Sequence, residues 1–249
     1  MVARWNWRWK LDSGILTPRY ATERHVGDIL GRAMAEGTVE RGDLFVTTKV
    51  AHPASPPHVA ISHRLTWNWD EVESIPQRVI DDFDASKEKL GMGSVDLFLM
   101  HWPGTFGNRD PVFAKDARLA IWEVFESFLK RGDARAIGVC NFTKTHLRDL
   151  IDAGRTVPMV NQTEYHPYCQ DPELTAFCAA HGIAVEAYAP FASGAFGLLA
   201  DPVIVDVAKQ AGCTTGQAIL RWHLQQGRVV LPKSTNPNRS AIIPPPPYW

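Results

Sequence analysis

Short apolar runs alternate with amphipathic stretches through the middle of this chain, and the two patterns predict different elements. Residues 44–49 read Leu-Phe-Val-Thr-Thr-Lys, and residues 95–100 read Val-Asp-Leu-Phe-Leu-Met. Runs this short and rich in branched or aromatic residues predict buried strands. Similar runs at 134–139, 158–162, 183–188 and 228–232 predict four more. Between them, apolar residues recur at helical spacing, as with Val26, Ile29, Leu30 and Met34 in 23–36, or Val79, Ile80, Phe83 and Leu90 in 71–90. The same spacing predicts helices over 113–131, 143–153, 172–181, 202–211 and 214–226. Thr143 is placed to cap the helix that ends before Gly154.

Repeated strand–helix units predict a parallel sheet with right-handed crossovers. No Gly-x-Gly-x-x-Gly follows any strand and no Walker motif is present, so a Rossmann site is not supported. A closed α/β barrel fits 249 residues as one domain, with no internal boundary or repeat. Six strands are predicted, with a seventh if 4–11 forms one; eight would close a standard barrel. Residues 51–70, rich in Pro, His and Trp, and residues 102–111 read as loops.

Composition narrows the partners. A net charge of -1 gives no electrostatic case for nucleic acid or an anionic membrane. No apolar stretch is long enough to cross a bilayer, and the start shows no signal-peptide core. Cys140, Cys169, Cys178 and Cys213 form no paired motif, which points to reduced thiols in a cytoplasmic protein. The ends are atypical. Trp5, Trp7 and Trp9 alternate with polar residues within 1–11, and 240–249 contains the run Pro244-Pro245-Pro246-Pro247.

Polar residues collect at the C-terminal ends of the strands, where parallel α/β barrels place their chemistry. They are Lys49, His101, Cys140-Asn141, Asn161-Gln162, Tyr188 and Lys233-Ser234. Each alone has a bland explanation: a lysine reaching solvent, a structural histidine, a helix cap. Their occurrence in order at successive strand ends describes a site.

The ordered set resembles the aldo-keto reductase family. The strings that carry it are Thr47-Thr48-Lys49-Val50, Asp96-Leu97-Phe98-Leu99-Met100-His101-Trp102-Pro103, Gly138-Val139-Cys140-Asn141-Phe142, Val160-Asn161-Gln162-Thr163-Glu164-Tyr165-His166-Pro167-Tyr168, Glu186-Ala187-Tyr188-Ala189-Pro190 and Leu231-Pro232-Lys233-Ser234. They extend over about 20–239. The resemblance implies a (β/α)8 TIM barrel, incomplete here at the first strand–helix pair and the last helix. It implies reduction of small aldehydes or ketones by NADPH, in preference to NADH, in a monomer or weak oligomer without a metal.

By the same resemblance the catalytic residues are Asp12, Tyr20, Lys49 and His101. A tyrosine has a pKa near 10 and is a reluctant acid; Lys49 beside it would favour the phenolate and bring the proton donor nearer working pH. Asp12 would hold the lysine, and His101 would orient the carbonyl oxygen. Asn141 and Gln162 would hold the nicotinamide carboxamide, and Tyr188 would stack on the ring. Lys233, Ser234 and Arg239 would hold the adenosine phosphate, the loop from Ala189 to Phe196 would cover the pyrophosphate, and Trp102 would line the substrate pocket.

Some positions depart from the family pattern. Eight positions separate Asp12 from Tyr20, where the family usually has five, and Cys140 replaces a usual serine. The glutamate-asparagine pair and helix expected after Arg239 have no counterpart. A terminally truncated or divergent reductase is the expectation. The alternative is a catalytically weak or inactive NADPH-binding, regulatory relative.

Overall fold

Strands buried at every position, as three of these are, need cover on both faces, and helices from the intervening segments supply it. The computed structural model describes residues 22–50, 72–104 and 111–234. These divide after Pro158 into two compact units. The predicted loop 51–70, the end segments 1–11 and 240–249, and 105–110 of the loop 102–111 lie outside the described residues.

The first unit runs α1 (Glu23–Ala35), β1 (Thr47–Val50), α2 (Ile75–Leu90), β2 (Leu97–Met100), α3 (Pro111–Arg131), β3 (Ile137–Cys140) and α4 (Lys144–Asp152). β1 pairs with β2 in parallel, Lys49 opposite Leu99, and β2 pairs with β3, Leu99 opposite Gly138. Every residue of these three strands is buried. Phe83 of α2 joins the helices to the sheet, meeting Phe98 edge-on with centroids 4.6 Å apart and stacking on Phe128 at 4.2 Å. Such pairs add about 0.5–1.5 kcal/mol beyond the area they bury. α1 comes so close to the end of α2 that a Cβ on Gly27 would lie 2.4 Å from the Lys89 carbonyl oxygen. Only glycine fits there.

All three strands start later than their predicted runs, and β1 shows why. Leu44 and Val46 are buried, yet β1 begins at Thr47. The reason is Asp96, wholly buried, whose Oδ2 accepts the Val46 N–H at 2.7 Å. Arg41 and Arg135 balance that carboxylate at 2.9 and 2.8 Å. A side chain has taken the place of a ladder bond at the sheet's N-terminal edge. The helix predicted from 71 begins at Ile75, after a single 3₁₀ turn over Val72–Ser74 and with Pro76 in its first turn.

The second unit runs β4 (Val160–Glu164), α5 (Pro172–Ala180), β5 (Ala184–Tyr188), α6 (Pro202–Gln210), α7 (Thr215–Gln225) and β6 (Val229–Leu231). β4 pairs with β5 and β5 with β6, both in parallel. Short polar side chains start the helices: Asp171 accepts the Leu174 N–H, Asp201 those of Val203 and Ile204, and Thr214 that of Gln217. Ala192 and Leu198, from the segment after β5, form a small buried core with Ile219 of α7. Arg228 is buried against the rings of Tyr165 and Trp222, 4.2 and 4.5 Å from their centroids. Its Nε–H donates to His223 Nδ1 at 3.3 Å.

Each unit thus repeats the strand–helix alternation that the sequence predicts. No helix among the described residues is long and apolar enough to cross a membrane.

Candidate active site

In the first unit the polar residues leave along one edge of the sheet. Lys49 is the third residue of β1 and only 5% exposed. An ammonium is costly to bury unless paired, and Lys49 is not without interactions. His101 follows the last residue of β2 and is half-buried. Asn141 follows the last residue of β3. It occupies the left-handed region at φ 61°, which asparagine tolerates better than most residues. Its Nδ2–H donates to the His101 carbonyl at 3.0 Å. Trp102 is exposed beside His101, with ring centroids 6.0 Å apart. Cys140, in the usual serine position, is buried.

In the second unit, Asn161 and Gln162 are buried in β4. Gln162 stands opposite Glu186 in the ladder and donates its Nε2–H to Glu186 Oε2 at 2.8 Å. This fixes which way the Gln162 amide faces, a role for Glu186 that sequence reasoning missed. A carboxylate in an apolar strand, two residues before Tyr188, was the available signal. Tyr188 ends β5 and is half-buried. Lys233 and Ser234 are exposed just beyond β6.

The segment after β5 is conformationally unusual. Ala189, Ala192, Ser193 and Phe196 all have positive φ, between 48° and 58°, alongside Gly194 and Gly197. Each such non-glycine residue costs on the order of 1–3 kcal/mol, and strain of this kind concentrates at ligand clamps. Tyr168 donates its hydroxyl hydrogen to Asp201, the residue that caps α6 at the far end of this segment.

The first unit therefore brings Lys49, His101, Trp102 and Asn141 together at neighbouring strand ends. In the second unit Tyr188 ends β5 and Lys233 and Ser234 lie just beyond β6, whereas Gln162, expected at a strand end, is the middle residue of β4, which runs on to Glu164. Asp12, Tyr20 and Arg239 lie outside the described residues. Burial raises the Cys178 thiol to about 11, and none of the four cysteines is in a disulfide. No group of three or more His, Cys, Asp or Glu among the described residues is arranged to hold a metal ion.

The sequence pattern of the Aldo/keto reductase family matches residues 20–241. An aldo-keto reductase of Mycolicibacterium smegmatis is 38% identical over 211 residues, covering 85% of this chain and 66% of that protein. Glycerol 2-dehydrogenase (NADP(+)) of Saccharomyces cerevisiae is 34% identical, covering 85% and 68%. The chain spans about two thirds of the length of these curated relatives. The crystal structure of a Bombyx mori aldo-keto reductase in complex with NADP superposes with a TM-score of 0.72 at 30% identity, covering 89% of this chain and 68% of that one. With these neighbours, the strand–helix alternation is that of an incomplete (β/α)8 barrel. By pattern, sequence and fold, the chain belongs to the aldo/keto reductase family.

Proposed function

We propose that this protein reduces the carbonyl group of small aldehydes or ketones to an alcohol, with NADPH as reductant and Tyr20 as proton donor. The observation that carries the reading is Lys49, His101 and Asn141 in order at the ends of three adjacent parallel strands. The names of similar proteins support it: methylglyoxal reductase of Escherichia coli is 36% identical, and the Bombyx mori structure is bound to NADP.

The residues fit such a cofactor. Gln162, oriented by Glu186, turns its Oε1 away from that carboxylate and suits the amide N–H of a carboxamide. By the family resemblance Asn141 would be a second amide for the same group, and Tyr188 would supply a ring to stack on nicotinamide. The left-handed positions interspersed between Ala189 and Gly197 suit presentation of backbone N–H groups to a pyrophosphate. Lys233, Ser234 and Arg239 would hold the adenosine phosphate, where an arginine with a lysine suits a dianion. When bound, the cofactor supplies the hydride for the carbonyl carbon.

The chain's own residues handle the proton. Lys49 stabilises the Tyr20 phenolate and makes Tyr20 a better acid, while Asp12 holds the ammonium. His101 hydrogen-bonds the carbonyl oxygen, where negative charge develops, and Tyr20 protonates that oxygen. Trp102 faces the substrate. The spacing of Asp12 and Tyr20 favours a second reading, an NADPH-binding protein with weak turnover. NADPH absorbance followed with an aromatic aldehyde separates them: consumption supports the reductase, and binding without consumption supports the second.

A further inference from the structure

The chain beyond β2 has no strand ladder to hold it. β2 ends at Met100, and the backbone carbonyls that follow need other partners. Asn141 meets the His101 carbonyl. The Pro103 carbonyl is met by Arg118 of α3, whose Nη1–H donates to it at 2.8 Å. Arg118 is 6% exposed. Its Nη2–H donates to Asp149 Oδ2 of α4 at 2.5 Å, and Lys115 Nζ lies 3.5 Å from Asp149 Oδ1. Its Nε–H meets no acceptor among the described residues.

Between the two pinned carbonyls stands Trp102, 44% exposed although Pro103 next to it is buried. Satisfying one carbonyl does not require a buried guanidinium; a water molecule would serve. The guanidinium adds geometry. Its donors lie in one rigid plane, so Asp149 on α4 dictates where the Pro103 carbonyl must lie. Lysine keeps the charge but loses that plane.

We propose that Arg118, oriented by Asp149, is a positioning residue that fixes the His101–Trp102 pair and thereby sets which carbonyl substrates are accepted. The proposal rests on the roles given above to His101 and Trp102. Arg118 touches neither substrate nor cofactor; it acts through the backbone of Pro103. Substrates bulky enough to rest on the Trp102 indole depend on it most.

The test compares Arg118→Lys and Asp149→Asn with the parent, using a bulky aromatic aldehyde and a small aliphatic one. Both variants are expected to lower the aromatic-to-aliphatic ratio of kcat/KM by about tenfold, mainly through KM. NADPH affinity, read by cofactor fluorescence, is expected to change less than about twofold. In a Trp102→Ala background, adding Arg118→Lys is expected to leave the ratio unchanged. An unaltered ratio in the variants, or an equal fall without Trp102, overturns the proposal. A readout independent of turnover is the fluorine NMR spectrum of 5-fluorotryptophan-labelled protein, with the Trp102 signal assigned by its loss in Trp102→Phe. That signal is expected to shift or broaden in both variants while the Trp222 signal stays. An unmoved Trp102 signal overturns the proposal whatever the activity. A parent that consumes no NADPH contradicts the proposed function instead and leaves the spectral test standing.

Discussion

Asn141 reaches back to the neighbouring strand end and donates its side-chain N–H to the main-chain carbonyl of His101 across 3.0 Å, from a backbone at φ 61°. One residue thus meets two demands, a left-handed turn after β3 and a donor for the chain leaving β2. Substitution separates them. Asn141→Gly keeps the turn and loses the donor; Asn141→Ala loses both. The alanine variant is expected to be destabilised by about 1–2 kcal/mol and the glycine variant by less, as read from urea midpoints. Both should lower carbonyl reduction to a similar extent, because both release His101.

Thr48, next to Lys49, donates its hydroxyl hydrogen to Glu23 Oε1 at 2.6 Å in a buried contact. Glu23 is 2% exposed, with Lys89 Nζ 3.5 Å from its other oxygen. The contact ties the first turn of α1 to β1. Thr48→Val preserves shape and removes the donor, leaving a buried carboxylate oxygen short of a partner. A loss of about 1–3 kcal/mol in denaturant unfolding is expected.

His223 is buried beside Arg228, and burial first, with the guanidinium second, lowers it from 6.5 to about 3. The unfolded chain therefore binds a proton below pH 6.5 that the folded protein refuses until about pH 3. The resulting stability is fully present above pH 6.5 and is lost as pH falls toward 3. His223 contributes a slope of up to about 1.4 kcal/mol per pH unit in that window. His223→Asn retains an acceptor for Arg228 and cannot be protonated. Its unfolding free energy is expected to depend less steeply on pH than the parent's, as measured by urea titration at several pH values.

Arg239 carries the case for the phosphorylated cofactor. Arg239→Ala is expected to weaken NADPH by about tenfold or more and NADH far less, because an arginine–phosphate contact is charge-assisted. Equal losses for the two cofactors would remove the argument for NADPH.

Periodicity located the elements well because most of them bury one continuous apolar face. The helix predicted over 113–131 runs from Pro111 to Arg131, and that predicted over 143–153 spans Lys144–Asp152 behind the expected Thr143 cap. The strand starts were not legible. Nothing in residues 44–49 signals that Asp96, fifty positions on, takes the Val46 N–H. Arg118 escaped notice for the same reason: its partner Pro103 is fifteen residues away and Asp149 thirty-one. Lys49, His101, Asn141, Gln162 and Tyr188 were legible because each is a polar residue in or just after a short apolar run, toward the C-terminal end of a parallel strand. Glu186 was passed over because its function is to orient Gln162, and residues that act through a neighbour leave no motif of their own.

The central claim is that Lys49 makes Tyr20 acidic enough to protonate the reduced carbonyl. It is tested most directly by NADPH consumption in Tyr20→Phe with an aromatic aldehyde, alongside quenching of NADPH fluorescence. The account predicts cofactor binding close to the parent's and a rate lower by at least about 10²-fold. Turnover that survives the loss of the phenol would contradict it.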